Sequence, residues 1–224
     1  MLARFFLGAC GPTRSRGAAL YSAMVRRGPT VRETEIKLGV PHLGAMIQKI
    51  GGLGIKCSGR VRERNTLFDT PNGDLRCRGR LLRVRVETPA PSALVPGGLR
   101  RTVVTFKSPV RASAGSRYKE KLERELVTRS RRSWPSGLRS LGFRPGFRYE
   151  KFRTTFHLPG LHLDLDETPV GVFLEIEGAP GSIDRIARRL GFSPRDYIRS
   201  TYADLYSQEC VRLGQIPGNM LFHA

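Results

Sequence analysis

The sequence contains little cysteine and no long apolar run. Its 224 residues include four cysteines, Cys10, Cys57, Cys77 and Cys210, with no CxxC pair and no histidine at zinc-ligand spacing. A disulfide framework and a zinc ribbon are therefore not expected, and a reducing, cytoplasmic location is the default. Because no stretch of about 18 apolar residues occurs, we expect no transmembrane helix and no membrane partner.

Acidic residues are missing from the start of the chain. Residues 1–32 carry six arginines and no acid, and the whole chain has a formal net charge of +20. Such a balance implies attraction to polyanions: nucleic acid, anionic lipid or a phosphorylated small molecule. We interpret residues 1–30 as a flexible N-terminal extension or an over-long start with Met24 as the true one. A transit peptide would also fit the composition.

The remaining sequence predicts one domain over residues 31–212 and a tail over 213–224. Strand-like segments separated by turn residues lie at 31–40, 64–70, 81–87, 102–107, 149–158, 161–166 and 172–177, while the composition of residues 119–127 fits either a helix or a strand. Helices are predicted at 42–50, 133–142, 182–190 with Ser182 as the N-cap, and 195–210. Short strands separated by turns predict an α+β fold: an eight-stranded antiparallel β-barrel with helices packed outside.

Charged residues recur at a spacing of two in almost every predicted strand. In Glu33-x-Glu35-x-Lys37 the three side chains share one face, because strand residues two apart point the same way. The bases of this pattern are Lys37, Arg83, Arg85, Lys107, Lys121, Lys151 and Arg153. The acids are Glu33, Glu35, Glu123, Glu125, Asp164, Asp166, Glu175 and Glu177.

The role of these charged side chains depends on whether they face the solvent outside the sheet or the lumen of a barrel. Alternation usually marks a solvated outer face over an apolar inner one. The amphipathic helices favour the reverse, because they need an apolar sheet face to cover. Fifteen charges buried in a dry lumen would be too costly, whereas an eight-stranded barrel can hold one small ligand. Bases would bind phosphate oxygens and carboxylates would bind divalent cations, which suits a tripolyphosphate group.

The segment E-x-E-x-K on the first strand resembles the signature of the CYTH superfamily, also called triphosphate tunnel metalloenzymes. LFDTPNGDL, LLRVR, TFK, LERE, YEKFR and LDLDETPVGVFLEIEG follow in the family's order over about residues 31–206. The family comprises class IV adenylate cyclases, thiamine triphosphatases, inorganic triphosphatases and fungal-type RNA triphosphatases. Its members are similar in holding a triphosphate in a β-tunnel with Mg²⁺ or Mn²⁺. The resemblance also favours a strand over a helix for KEKLERELV.

The resemblance implies a role for each matching residue. The implied phosphate-binding residues are Lys37, Arg83, Arg85, Lys107, Lys151 and Arg153. The implied metal ligands are Glu33, Glu35, Asp164, Asp166, Glu175 and Glu177. The implied catalytic residues are Glu33, Glu35, Lys37, Glu123 and Glu125, of which the last two would position water or a second metal. TFKSP departs from the family by offering a single lysine where some members have two bases.

We expect a metal-dependent triphosphatase that acts on tripolyphosphate, thiamine triphosphate or another small triphosphate. The alternatives are a class IV adenylate cyclase, which converts ATP to cyclic AMP and pyrophosphate, and a non-catalytic protein that binds polyphosphate or RNA 5′-triphosphate ends. A homodimer is an option by analogy with relatives only. Nucleic acid is not an expected partner, because the sequence shows no aromatic interleaving of its arginine runs. His162, in phase with Asp164, is interpreted as structural.

Overall fold

The eight predicted strands close into one antiparallel barrel. The computed structural model describes residues 29–90, 99–110, 115–128 and 133–222, so most of the N-terminal extension lies outside the described residues. The strands are β1 Val31–Val40, β2 Cys57–Asp69, β3 Leu81–Pro89, β4 Arg101–Pro109, β5 Lys119–Thr128, β6 Arg144–Leu158, β7 Leu161–Thr168 and β8 Gly171–Gly178. Around the barrel their order is β1-β5-β4-β3-β2-β6-β7-β8. The predicted fold class is confirmed.

Helices lie against the outside of this barrel. They are α1 Leu43–Gly52, α2 Asp74–Cys77, α3 Ser133–Ser140, α4 Pro180–Arg189 and α5 Tyr202–Arg212, with a 3₁₀ turn at Pro194–Asp196. In the described part of the chain, no helix is long and apolar enough to cross a membrane.

The apolar members of the alternating strands point outward and form the core. Leu38 of β1 and Leu174 of β8 are buried against Ile50 of α1 and Ile183 of α4. Burying side chains of this size stabilises the fold by about 1.5–3 kcal/mol each. Because neighbouring strand residues point to opposite faces, this packing turns the charged residues between them into the lumen.

Two predicted helix starts are wrong. Helix α4 begins at Pro180 after an Ala179 N-cap, so Ser182 lies inside the helix and caps nothing. Proline suits a first helical position because its fixed φ matches the helix. The helix predicted from residue 195 begins only at Tyr202, where Thr201 and Asp204 form a capping box.

Two segments near the C-terminus instead pair with the barrel. Ile198 bridges β1, where its N–H donates to the Lys37 carbonyl at 2.8 Å. Met220, in the region predicted as a tail, pairs with Tyr149 of β6 and is fully buried. These contacts hold α5 across one end of the barrel.

Candidate active site

The barrel encloses a cavity of about 290 Å³ that is lined mainly by charged side chains. The bases that line it are Lys37, Arg83, Arg85, Lys107, Lys119, Lys151 and Arg153. The acids that line it are Glu33, Glu35, Glu123, Glu125, Asp164, Glu175 and Glu177. Of the fifteen charged residues that the sequence predicted to face the lumen, the structure brings together all except Asp166 and Lys121.

Asp166 lies behind the cavity wall and is fully buried. Its carboxylate accepts hydrogen bonds from Lys151 at 2.7 Å, from Arg153 at 2.7 Å and from the Tyr202 hydroxyl at 2.6 Å. Burial raises its pKa, although Arg153 and Lys151 oppose this. Asp166 therefore fixes the positions of two bases that face the cavity.

Glu63 of β2 is a second buried carboxylate, which the sequence analysis missed. It lies 3.6 Å from the Lys151 ammonium, 3.7 Å from Arg153 and 3.8 Å from Arg85. Burial would raise the pKa of Glu63, but Lys151, Arg85 and Arg153 outweigh burial and hold it far below its usual value. The second strand was predicted to begin at residue 64 but begins at Cys57, so Glu63 fell outside the prediction, and the uncharged Asn65 interrupts the spacing of charges.

Arg153 connects the deep bases to the carboxylates on the neighbouring strands. Its guanidinium is 2.8 Å from Asp164 and also donates to Glu175. The Lys37 ammonium lies 3.4 Å from Glu175 on the other side. Burial raises the pKa of Glu175, yet Lys151, Lys37 and Arg153 together keep it well below its usual value. In this part of the cavity the bases surround their acids, so an anion would find several donors already gathered.

Three carboxylates, Glu33, Glu35 and Glu177, form an acidic section of the cavity beside Glu175. Burial and neighbouring carboxylates raise the pKa of Glu33 to about 7 despite the nearby Lys107. Burial, Glu33 and Glu35 likewise raise the pKa of Glu177 to about 7. Among the described residues, Glu177 makes no ion pair. This section therefore holds more negative charge than its bases neutralise.

Lys119 was missed because the charged pattern of the fifth strand was taken to begin at Lys121, two residues further along the chain. It shares the phase of Lys121 and Glu123, and its ammonium donates to Glu35 at 2.5 Å. Burial and Glu175 raise the pKa of Glu35, but Lys119 and Lys107 outweigh them and lower it. Lys121, which the sequence placed in the lumen, instead donates to the Gly79 carbonyl at the rim.

Tyr202 had no signal in the sequence, because it comes from a helix rather than from an alternating strand. Its ring lies 4.1 Å from the Lys37 ammonium and 4.9 Å from the Lys151 ammonium. Its hydroxyl donates to Asp166, and the residue is buried at the end of the cavity. Tyr202 thus holds both lysines from the α5 side.

We expect Tyr202→Phe to weaken tripolyphosphate binding by roughly tenfold, about the free energy of one hydrogen bond to a charged group. The ring and its contacts with Lys37 and Lys151 stay, but Asp166 loses one donor. Titration calorimetry would measure the affinity. Tyr206→Phe on the same helix is the matched control and should leave it unchanged, and equal effects of the two variants would contradict a positioning role for Tyr202.

A divalent cation would suit the acidic section by its charge and by its oxygen ligands. Among the described residues, no three His, Cys, Asp or Glu side chains are already gathered as a metal site. The reason is visible in the contacts, since Glu33 is paired with Lys107 and Glu35 with Lys119. The unpaired Glu177 beside Glu33 and Glu35 nevertheless leaves one negative charge more than Lys107 and Lys119 neutralise, which a cation would relieve. The residues therefore fit a hard divalent ion.

The structure is thus a closed antiparallel barrel whose cavity is lined by seven bases and seven carboxylates. The chain belongs to the CYTH domain family, whose model matches residues 31–202. No curated protein matches the chain.

Solved structures share the fold at low sequence identity. A protein from Vibrio parahaemolyticus described as a candidate adenylate cyclase is similar with a TM-score of 0.66 and 19% identity, covering 78% of this chain and 97% of its own. The PH1819 protein of Pyrococcus horikoshii OT3 gives 0.64 and 21%, with 79% and 99% covered. The PH1012 protein of the same organism gives 0.57 and 23%, with 76% and 96% covered. At these identities the likeness concerns the fold alone.

Proposed function

We propose that the protein is a divalent-metal-dependent triphosphatase that hydrolyses the terminal phosphoanhydride of a triphosphate held in the barrel. One observation carries this proposal: a cluster of bases and an acidic section with surplus charge share one enclosed cavity. A triphosphate needs both, because its oxygens need donors and its remaining charge needs cations.

In this proposal the bases bind and orient the phosphates. Arg83 and Arg85 of β3 and Arg153 of β6 offer planar pairs of donors that match phosphate oxygens. Lys37, Lys107 and Lys151 add point charges between them. The Arg83 Nε atom is buried without a hydrogen-bond partner, so this side chain keeps a donor unused by the protein, whereas the Arg85 Nε atom lies 2.8 Å from the Glu87 carboxylate.

The acidic section would hold the metal ion. Glu33, Glu35 and Glu177 are the proposed main ligands, with Asp164 and Glu175 next to them; Asp166 already has three donors and remains a positioning residue. When bound, a divalent ion supplies charge neutralisation to the phosphate oxygens.

Water attack on the terminal phosphorus completes the proposed reaction. The new P–O bond forms as the bond to the bridging oxygen breaks, and the products are orthophosphate and a diphosphate. Glu123 and Glu125 on β5 are the proposed groups that orient this water and accept its proton. Glu125 is held by the Thr105 hydroxyl at 2.7 Å, while Glu123 lies 3.3 Å from Lys107.

One observation favours the adenylate cyclase alternative. Leu67, Leu81 and Phe147 form an apolar part of the cavity lining, where an organic group attached to the triphosphate would be sheltered. A cyclase would use the ribose hydroxyl instead of water as nucleophile, and the bases and carboxylates would serve that reaction equally well.

Product analysis separates these functions. Purified protein with Mg²⁺ or Mn²⁺ would be offered tripolyphosphate, thiamine triphosphate and ATP in parallel. We expect orthophosphate release that Glu35→Gln abolishes and Glu120→Gln preserves, because Glu120 pairs with Arg32 away from the cavity lining. Cyclic AMP and pyrophosphate from ATP would establish the cyclase instead. Metal-dependent binding without turnover would make the protein a triphosphate-binding protein.

Metal affinity is expected to rise between pH 6 and pH 8. Glu33 and Glu177 have pKa values raised to about 7, so protons compete with the metal below neutrality and leave as the pH increases. Calorimetric titration of Mn²⁺ at several pH values would measure the slope. Glu177→Gln should flatten it, and a profile independent of pH would contradict the assignment of these carboxylates to the metal.

A further inference from the structure

The positive charge of the chain does not reside in the tunnel. Seven bases and seven acids line the cavity, and two more buried acids, Glu63 and Asp166, lie behind it. The net charge of +20 must therefore come from residues elsewhere in the chain. A surface of this sign attracts polyanions whatever the barrel does inside.

One part of the outer surface combines arginines with an aromatic ring. We define the β2–β6 face by Arg60, Arg62 and Arg64 of β2 and Arg148 and Phe152 of β6. These residues alternate with Glu63 and Lys151, which point into the barrel, and Arg62 is the direct cross-strand partner of Phe152. The face is distinct from the surfaces that the helices cover.

The arginines of this face are arranged around the Phe152 ring. The Arg60 and Arg62 guanidinium carbons lie 5.1 Å and 5.8 Å from its centroid, within the range of a cation–π contact. Phe222 lies 5.3 Å from Phe152 on the same side. Because the interleaving crosses between strands 90 residues apart, no stretch of the linear sequence displays it.

These arginines keep hydrogen-bonding capacity, because each guanidinium has five N–H donors and the protein uses only some of them. Arg60 donates to Glu167 at 2.7 Å and Arg62 to Glu150 at 2.9 Å, while the Nε atoms of both are buried and have no partner. The Arg148 side chain is exposed and makes no ion pair within the described residues. The Arg60–Glu167 and Arg62–Glu150 pairs are part-buried, so an incoming phosphate adds to the remaining donors of these guanidinium groups rather than replacing their carboxylates.

A second basic surface, on α4, has arginines but no aromatic ring beside them. Arg185, Arg188 and Arg189 of α4 are exposed and have no ion-pair partner among the described residues. They would attract phosphate, but no ring lies against their side chains in the described structure. Stacking of bases on aromatic side chains distinguishes single-strand recognition from general attraction to phosphate.

We propose that the β2–β6 face binds single-stranded nucleic acid. The backbone phosphates contact Arg60, Arg62, Arg64 and Arg148, and the bases stack on Phe152 and on the guanidinium planes beside it. This site is separate from the tunnel and needs no triphosphate end.

Fluorescence anisotropy with a labelled uridine 12-mer that carries a 5′-hydroxyl tests the proposal. Three variants would be compared with the wild type: the triple variant R60Q/R62Q/R64Q, the matched triple variant R185Q/R188Q/R189Q, and Phe152→Leu. R60Q/R62Q/R64Q removes three positive charges from the β2–β6 face, and R185Q/R188Q/R189Q removes three from α4. Phe152→Leu removes the ring and keeps charge and apolar character. Thermal melting would check that each variant is folded.

We expect R60Q/R62Q/R64Q to weaken binding at least tenfold and to reduce the salt slope by about 2, since each phosphate contact on a single strand contributes about 0.7. Phe152→Leu should weaken binding about five- to a hundredfold, the range for a lost base stack, without changing that slope. R185Q/R188Q/R189Q should change affinity less than threefold.

Several outcomes would overturn the proposal. Equal losses in the two triple variants would mean general attraction to charge, and unchanged binding by Phe152→Leu would exclude stacking. If the protein bound duplex RNA as tightly as the single strand, base stacking on Phe152 would also be excluded. Binding of anionic phosphatidylserine vesicles but not of the oligonucleotide would identify the face as a membrane surface. Triphosphatase activity stays unchanged in Phe152→Leu, so this result is independent of the proposed function.

Discussion

Replacing Glu63 with glutamine is expected to lower the melting temperature by roughly 6–20 °C. Glu63 is 1% exposed and lies among Lys151, Arg85 and Arg153. The variant keeps the shape of the side chain but leaves these buried bases with one counter-charge fewer. Removing one partner of a buried ion pair typically costs about 3–5 kcal/mol, and about 2–4 °C accompanies each kcal/mol in a domain of this size.

Glu150→Gln is the matched control for this prediction. Glu150 also pairs with two arginines, Arg62 and Arg64, but on the outer face of the same strands, so its loss should lower the melting temperature by no more than a few degrees. Tripolyphosphate should raise the melting temperature of Glu63→Gln more than that of the wild type, because it returns negative charge to the same bases. Similar melting temperatures for the two variants would contradict a structural role for Glu63.

The difference in stability between the wild type and Glu63→Gln should decrease as the pH falls. The pKa of Glu63 in the folded protein lies below its ordinary value. Its contribution to stability is therefore complete above the unfolded pKa and is lost as the pH falls toward the folded one. The gap between wild type and Glu63→Gln should be full at pH 7 and narrow in strong acid.

Removal of divalent metal is expected to weaken tripolyphosphate binding by about a hundredfold, near the upper end of typical coupling between two ligands. The cavity has no net positive charge of its own, and its bases are already paired with carboxylates. An anion that takes those bases leaves the carboxylates uncompensated unless a cation replaces them. Calorimetry in Mg²⁺ and in EDTA would measure the difference.

Coupling of this kind is reciprocal, so tripolyphosphate should raise the metal affinity of the protein by the same factor. Glu177→Gln removes one surplus negative charge and should bind tripolyphosphate severalfold more tightly than the wild type in EDTA. Glu120→Gln, outside the cavity, should behave as the wild type. Equal affinities in Mg²⁺ and in EDTA would show that the bases act without help from a metal ion.

Alternation along single strands predicted most of the barrel and the direction of its charges, while the fifth strand was assigned through the family resemblance. A spacing of two depends only on the strand backbone, and the amphipathic helices decided which face was covered. Pairings between strands could not be predicted in this way. Lys119 meets Glu35 because β1 and β5 are neighbours in a particular register, and nothing local to either strand specifies that register.

Residues that act from behind the cavity were hidden for a related reason. In the sequence, Asp166 belongs to the same two-residue pattern of charges as Asp164. Only its tertiary contacts show that the Asp166 carboxylate already accepts hydrogen bonds from Lys151 and Tyr202. The start of α5 was misjudged because Thr201 was not recognised as its cap, while Ile198 was drawn into a bridge with β1. Such features depend on tertiary contacts that outweigh local propensity.

The position of β1 between β5 and β8 has a consequence for how the chain is made. Glu35 pairs with Glu177, so the first strand to leave the ribosome must wait for the last strand of the barrel. Strands that are far apart in the sequence pair slowly, because closing the intervening loop costs conformational entropy before the contacts between the strands have formed. Until β8 is made, one edge of β1 lacks its partner, and an unpaired strand edge of this kind makes a partly folded chain prone to aggregation.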